Sequence, residues 1–201
     1  MATGRHLVHE DVAEEYVAKL AAIARSLRIG DPRLDEKVTI GPIIDARQRD
    51  RVHSLVKRSV EGGATVVTGG EFDQLFYEPT VLTNVAADTP AYAEEVFGPV
   101  ASVRTFADTE DAIALAADSE YGLSLSILTA DLARGRAVAD RIPTGIAHIN
   151  DQTIVDSPLA PMAGVRASGA GSPFGGTNNA QAFTDTRWIS CAPAPARGAA
   201  S

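Results

Sequence analysis

The sequence predicts an α/β fold: a mainly parallel sheet with helices on both faces, plus a C-terminal oligomerisation strand. Three observations lead there. From residue 101 the chain alternates apolar extended runs with helical patterns: "ASVRTF", a helix, "LSLSILT", a helix, "GIAHIN". Two longer upstream segments carry apolar residues at helical spacing and stop at glycine signals. At 201 residues, with 45% hydrophobic and 22% charged side chains, the chain can bury a sizeable core.

The elements follow in order. Residues 10–28 set Val12, Tyr16, Leu20, Ile23 and Leu27 along one helical face, and Gly30-Asp31-Pro32 stops that helix. A second helix runs from about Asp45 to Glu61, with Val52, Leu55, Val56 and Val60 on one side and Gly62-Gly63 as its stop. "ATVVTGG" reads as a short buried strand and turn. "FYEPTVLTNV" is another extended segment, in which Pro79 argues against a central place because proline donates nothing to a ladder. Asp108, with Asp111 three residues on, caps a helix from Thr109 to about Asp118. Residues 131–142 are helical up to Pro143.

After Asn150 the composition shifts. Residues 151–180, rich in Gly, Ala, Ser, Pro and Asn, read as a long ordered loop, and such loops are usually functional. "AFTDTRWIS" alternates like a strand, yet no turn before it supplies a local partner, so another chain is the expected one. Residues 191–201, "CAPAPARGAAS", are expected to be disordered.

Composition excludes several classes. With 18 Lys+Arg against 26 Asp+Glu, the net charge of −8 argues against nucleic-acid or anionic-membrane partners, which reward a basic face. No apolar run approaches the roughly 18 residues of a membrane span. "MATGRHLVHE" lacks a signal-peptide core, so a cytoplasmic location is expected. The single cysteine, Cys191, forms no intramolecular disulfide and has no base near it in sequence. His6, His9, His53 and His148 lack metal-ligand spacing, so no metal site is expected; His53 is expected on a helix surface and His148 inside a strand. "GAGSPFGG" matches two glycines of a dinucleotide fingerprint, Gly169 and Gly171, but has Phe174 at the third position and no strand–turn–helix context. Tight turns account for it better.

"EEVFGPV", residues 94–100, reads in two ways. One is a solvated acidic turn with Phe97 tucked into the core. The other is a cofactor contact: an ionised carboxylate accepts both hydroxyls of a ribose diol, and an aromatic ring packs on a flat heterocycle. Local chemistry leaves both open.

"GDP", "GPIID", "EEVFGPV", "YGLSLSILT" and "GIAHIN", in that order, resemble the aldehyde dehydrogenase superfamily. The resemblance runs from Met1 to about Ser190, and "ATGRHLVHE", "DARQRDRVHSLVKRSV", "DRIPTGIAHINDQT" and "AFTDTRWIS" look most like its benzaldehyde dehydrogenase branch. It implies NAD or NADP as cofactor and an aromatic aldehyde as substrate, oxidised through a cysteine thiohemiacetal and thioester. Glu95 matches the acid that binds the nicotinamide ribose and Phe97 the aromatic near the nicotinamide ring. Thr153, Ile154 and Val155 fall in the substrate-access loop. The family's "PFGG" element corresponds to Pro161-Met162-Ala163-Gly164, so Met162 replaces a phenylalanine beside the substrate tunnel and Ala163 replaces a glycine, a strain only if φ is positive there. "SPFGG" at 172–176 is out of register.

Residues 1–182 would then be catalytic domain, 183–190 a strand that joins a neighbouring subunit in a homo-oligomer, and 191–201 a tail. The resemblance puts the nucleophilic cysteine immediately before Met1, with the general base and adenine-binding domain further upstream. The chain alone is therefore expected to be inactive and to bind the cofactor weakly. The alternative is a non-catalytic module that oligomerises with itself or with full-length subunits.

Overall fold

The computed structural model describes residues 3–171 and 173–193. Strand β1 (Arg5–His9) runs directly into helix α1 (Glu10–Ser26), where His9 Nδ1 caps the first turn by accepting from the Asp11 N–H at 3.2 Å. The apolar stripe of α1, including Tyr16, Val17 and Leu20, packs on Val8, Val81 and Val103 and covers one face of the sheet. Helix α2 (Ala46–Glu61) begins at Asp45, whose carboxylate accepts from the Gln48 N–H at 2.7 Å, and ends at Gly62. Its Val52, Leu55 and Val56 join Tyr77, Leu82 and Tyr92 in the core on the opposite face.

Two strands flank a short hairpin: β2 (Thr65–Thr68), the hairpin β3 (Phe72–Asp73) and β4 (Phe76–Tyr77), and β5 (Thr80–Thr83). Helix α3 (Pro90–Ala93) then leads to β6 (Val100–Phe106). The sheet order is β1-β6-β5-β2, parallel except for β2. Helix α4 (Thr109–Ala117), β7 (Ser124–Ile127), α5 (Leu132–Ala139) and β8 (Ile146–Ile149) complete the alternating run. Among its described residues the long loop holds a 3-10 turn (Arg166–Ser168) and an isolated bridge between Met162 and Phe174 before α6 (Asn178–Ala182). The architecture is α/β, with a mainly parallel sheet and helices on both faces.

Several expectations need correction. Pro79 does not keep its segment at an edge: β5 lies between β6 and β2. The proline sits one residue outside the strand, and the first ladder donor is the Thr80 N–H, which reaches the Pro99 carbonyl at 2.8 Å. In "ATVVTGG" Ala64 is buried, but the strand itself is not: β2 is an edge strand with Thr65 and Val66 exposed. The β6-to-β8 run does not share one ladder, because β7 and β8 pair only with each other while β1 takes the place beside β6. His53 is half-buried rather than freely exposed on its helix. Its Nδ1 lies 3.3 Å from the Tyr77 hydroxyl and its ring meets the Phe72 ring edge-on at 5.1 Å. The helix expected over 131–142 ends at Ala139. Residues 184–190 form no strand within this single chain, and the expected tail lies outside the described residues from 194 onward.

His6 is half-buried, and its Nδ1 shares a 2.7 Å hydrogen bond with the Tyr16 hydroxyl. Burial holds its imidazole below the usual 6.5, opposed by a bond to the Thr3 backbone. Among the described residues, no helix is long and apolar enough to cross a membrane.

Candidate functional site

A cleft of about 480 Å³ opens between the segment after α3 and the segment after α4. Glu95 and Phe97 line one wall and Tyr121 and Gly122 the other, with Arg5 and Thr153 also contributing.

Helix α2 dictates the shape of the first wall. Arg58 and Arg51 approach the Glu94 carboxylate at 3.2 and 3.6 Å. Arg51 Nη1 donates to the Glu95 carbonyl at 2.8 Å and the Val96 carbonyl at 3.1 Å. Gln48 Nε2 donates to the Val96 and Phe97 carbonyls at 3.0 and 3.1 Å. Val96 enters the core between these tethers. Gly98 lets the loop rest on the helix: a Cβ there would stand 2.7 Å from Val52 Cγ2.

The two adjacent acids therefore differ. Glu94 is consumed by ion pairs with α2, whereas the exposed Glu95 carboxylate makes no hydrogen bond or ion pair among the described residues. Phe97 is not tucked into the core. Its ring is 75% exposed, and its backbone is left-handed at φ 52, a conformation that costs a non-glycine residue roughly 1 kcal/mol. On the facing wall, the charge of Glu120 raises the Tyr121 phenol above its usual value, with desolvation and Glu95 adding in turn.

The expected tunnel residues are not brought together. Thr153 is buried and lines the cleft, with its hydroxyl 3.0 Å from that of Thr3. Ile154 and Val155 are exposed and lie outside it. Met162 lines a separate cleft of about 310 Å³ with Asp156 and Phe174. Met162 and Phe174 exchange backbone hydrogen bonds of 2.6 and 3.0 Å, so Met162 of "PMAG" and Phe174 of the second, out-of-register element lie side by side. Ala163 is not among the residues of positive φ, so the alanine is not strained there. The tight position is its neighbour Gly145, where a Cβ would lie only 1.4 Å from the Ala163 carbonyl oxygen.

Sequence reasoning missed Gln48, Arg51 and Arg5. The first two had a signal, since Gln48, Arg51 and Arg58 follow helical spacing and form one polar stripe. Arg5 had none, because its partners are 87 to 113 residues away.

A ribose diol and a flat ring are what this wall can receive. Glu95 supplies an uncommitted acceptor pair and Phe97 an exposed ring two residues on, both on a backbone fixed from below.

The family model described as "Aldehyde dehydrogenase family" matches residues 1–189. The chain is 57% identical over 190 residues to a vanillin dehydrogenase of Amycolatopsis sp., covering 94% of this chain and 39% of that protein. It is 46% identical over 196 residues to the NAD(+) benzaldehyde dehydrogenase of Pseudomonas putida, covering 98% of this chain and 40% of that protein. The fold superposes on the aldehyde dehydrogenase of Bacillus cereus in complex with NAD+ with a TM-score of 0.82 at 33% identity, covering 86% of this chain and 35% of that one. The chain thus spans about two fifths of the length of the curated relatives it matches. On this match, the chain belongs to the aldehyde dehydrogenase family.

Proposed function

We propose that this chain forms the nicotinamide-side wall of an NAD-dependent aldehyde dehydrogenase acting on aromatic aldehydes of the benzaldehyde and vanillin type. The observation that carries the reading is the pairing of an uncommitted Glu95 carboxylate with the exposed, left-handed Phe97. A bound nicotinamide cofactor would supply the acceptor for the hydride leaving the aldehyde carbon. Glu95 would take the ribose hydroxyls, Phe97 would flank the ring, and α2 would keep both from shifting. NAD is preferred over NADP because the Pseudomonas relative is NAD(+)-dependent and the Bacillus cereus enzyme is seen with NAD+. Thr153, Ile154, Val155 and Met162 would bound the substrate path, with Ile154 and Val155 able to meet it only once further chain packs against them. Phe183, Trp188 and Ile189 are exposed at 87%, 91% and 67%, which supports residues 183–190 as the strand that joins a second subunit.

The test fuses this chain behind the N-terminal portion of the Amycolatopsis vanillin dehydrogenase, in place of that protein's own matching segment. NADH formation is followed with vanillin and benzaldehyde. The fusion turns over, while the 201-residue chain alone does not. Glu95→Gln removes a charged acceptor contact worth roughly 1.5–3 kcal/mol, so kcat/KM for NAD+ falls roughly 10- to 150-fold. A folded fusion whose Glu95→Gln variant keeps its cofactor kinetics overturns the reading.

A further inference from the structure

We infer that Arg5 is the positioning residue of this cleft: one guanidinium fixes the spacing between the Glu95 wall and the Tyr121 wall. The inference rests on the nicotinamide-side reading above and assigns a residue that sets its geometry.

Arg5 is half-buried on β1, the strand that runs beneath both walls. Its Nε donates to the Tyr92 carbonyl at 2.8 Å and its Nη2 to the Ala93 carbonyl at 3.5 Å. Both carbonyls belong to the last residues of α3, directly before Glu94. Its Nη1 donates to the Asp118 carbonyl at 2.9 Å, the C-cap of α4, directly before the segment that carries Tyr121. Carbonyls at helix ends have no partner within their own helix, and a cation there is favoured by the helix dipole. The guanidinium plane also lies 4.5 Å from the Tyr92 ring centroid, so its orientation is fixed as well as its reach. Among the described residues, Arg5 is the one side chain hydrogen-bonded to the ends of both helices.

The chemistry requires arginine. Three carbonyls in different directions need a rigid fork of donors, which guanidinium has and an ammonium point charge lacks. Arginine also keeps its charge throughout the working pH range, so the clamp does not loosen as pH changes. The tethers from Gln48 and Arg51 hold the Glu95 loop onto α2 but do not touch the opposite wall. Without Arg5, the loop would keep its shape and lose its distance from Tyr121.

Amide hydrogen exchange on the 201-residue chain compares wild type with Arg5→Lys and Arg5→Met. In Arg5→Met the Glu94, Asp118 and Ser119 amides exchange about tenfold faster or more, while Val56 and Leu82 in the core are unchanged. Arg5→Lys gives a smaller rise at the same amides. Unchanged exchange, a rise at only one helix end, or a uniform rise across the core overturns the inference. Nicotinamide mononucleotide, read by saturation-transfer NMR, separates this result from the function reading. Arg5→Lys weakens its binding roughly 5- to 30-fold in the wild-type background and adds little to Glu95→Gln, as expected for action through Glu95. Equal losses in both backgrounds overturn the action through Glu95. A wild-type chain with the helix-end exchange pattern but no binding overturns the function reading and leaves the clamp supported.

Discussion

The backbone of Ala91 offers a sharp test of how α3, and the Glu95 loop after it, is anchored. Its N–H donates to Ser59 Oγ at 2.9 Å and its carbonyl accepts from Ser102 Oγ at 2.8 Å. Both serines are fully buried, one on α2 and one on β6. Ser59→Ala leaves a buried N–H without a partner, at a cost of about 1–3 kcal/mol. Ser102→Ala orphans a carbonyl, which is better tolerated, at about 1–2 kcal/mol. The double variant costs less than the sum, because once one tether is gone α3 can lift and hydrate both the N–H and the carbonyl of Ala91. With a urea slope of about 2 kcal/mol/M, the Ser59→Ala midpoint falls by about 0.5–1.5 M, followed by far-UV circular dichroism at unchanged slope. A midpoint within about 0.2 M of wild type, or strictly additive losses, would refute this two-sided anchor at Ala91.

Three further outcomes are expected. Because burial depresses the His6 pKa, its contribution to stability is fully present above about 6.5 and is lost as pH falls through the lower folded value; His6→Gln flattens that loss, read as urea midpoints at about pH 7.5 and 5. Gly98→Val drives a side chain into Val52, costing about 1–3 kcal/mol, and lowers the thermal midpoint by about 3–8 °C; an unchanged midpoint would mean that the loop does not rest on α2. Ending the chain after residue 182 removes the exposed Phe183, Trp188 and Ile189, and light scattering shows a smaller particle than for the intact chain; equal assembly in both would remove this segment as the contact.

What the sequence disclosed was local. Helix α2 was legible because Asp45, the apolar spacing and Gly62-Gly63 all lie within one segment and agree. The central place of β5 was not, because a proline one residue outside a strand looks the same on paper as one inside it. The partial cover over His53 depends on Phe72 and Tyr77, contributed by a hairpin some twenty residues later. The site divides in the same way. "EEVFGPV" could be singled out from its residues, but which acid was spoken for depended on Arg51 and Arg58 of α2, and resemblance alone pointed to Glu95. Periodicity marked residues 183–190 as strand-like, and within this chain they form none.

The left-handed backbone of Phe97 has a consequence for anyone trying to harden this protein. Its ring is mostly in water, so removing it forfeits little burial, while glycine would release roughly 1 kcal/mol of steric conflict against a comparable entropic loss. A library screened only for heat resistance would thus meet almost no resistance to glycine or asparagine at 97. The survivors would be sound folds without the ring that we propose flanks the nicotinamide. On that proposal robustness and chemistry pull apart at this residue, so a stabilised variant has to be screened for cofactor use at the same time.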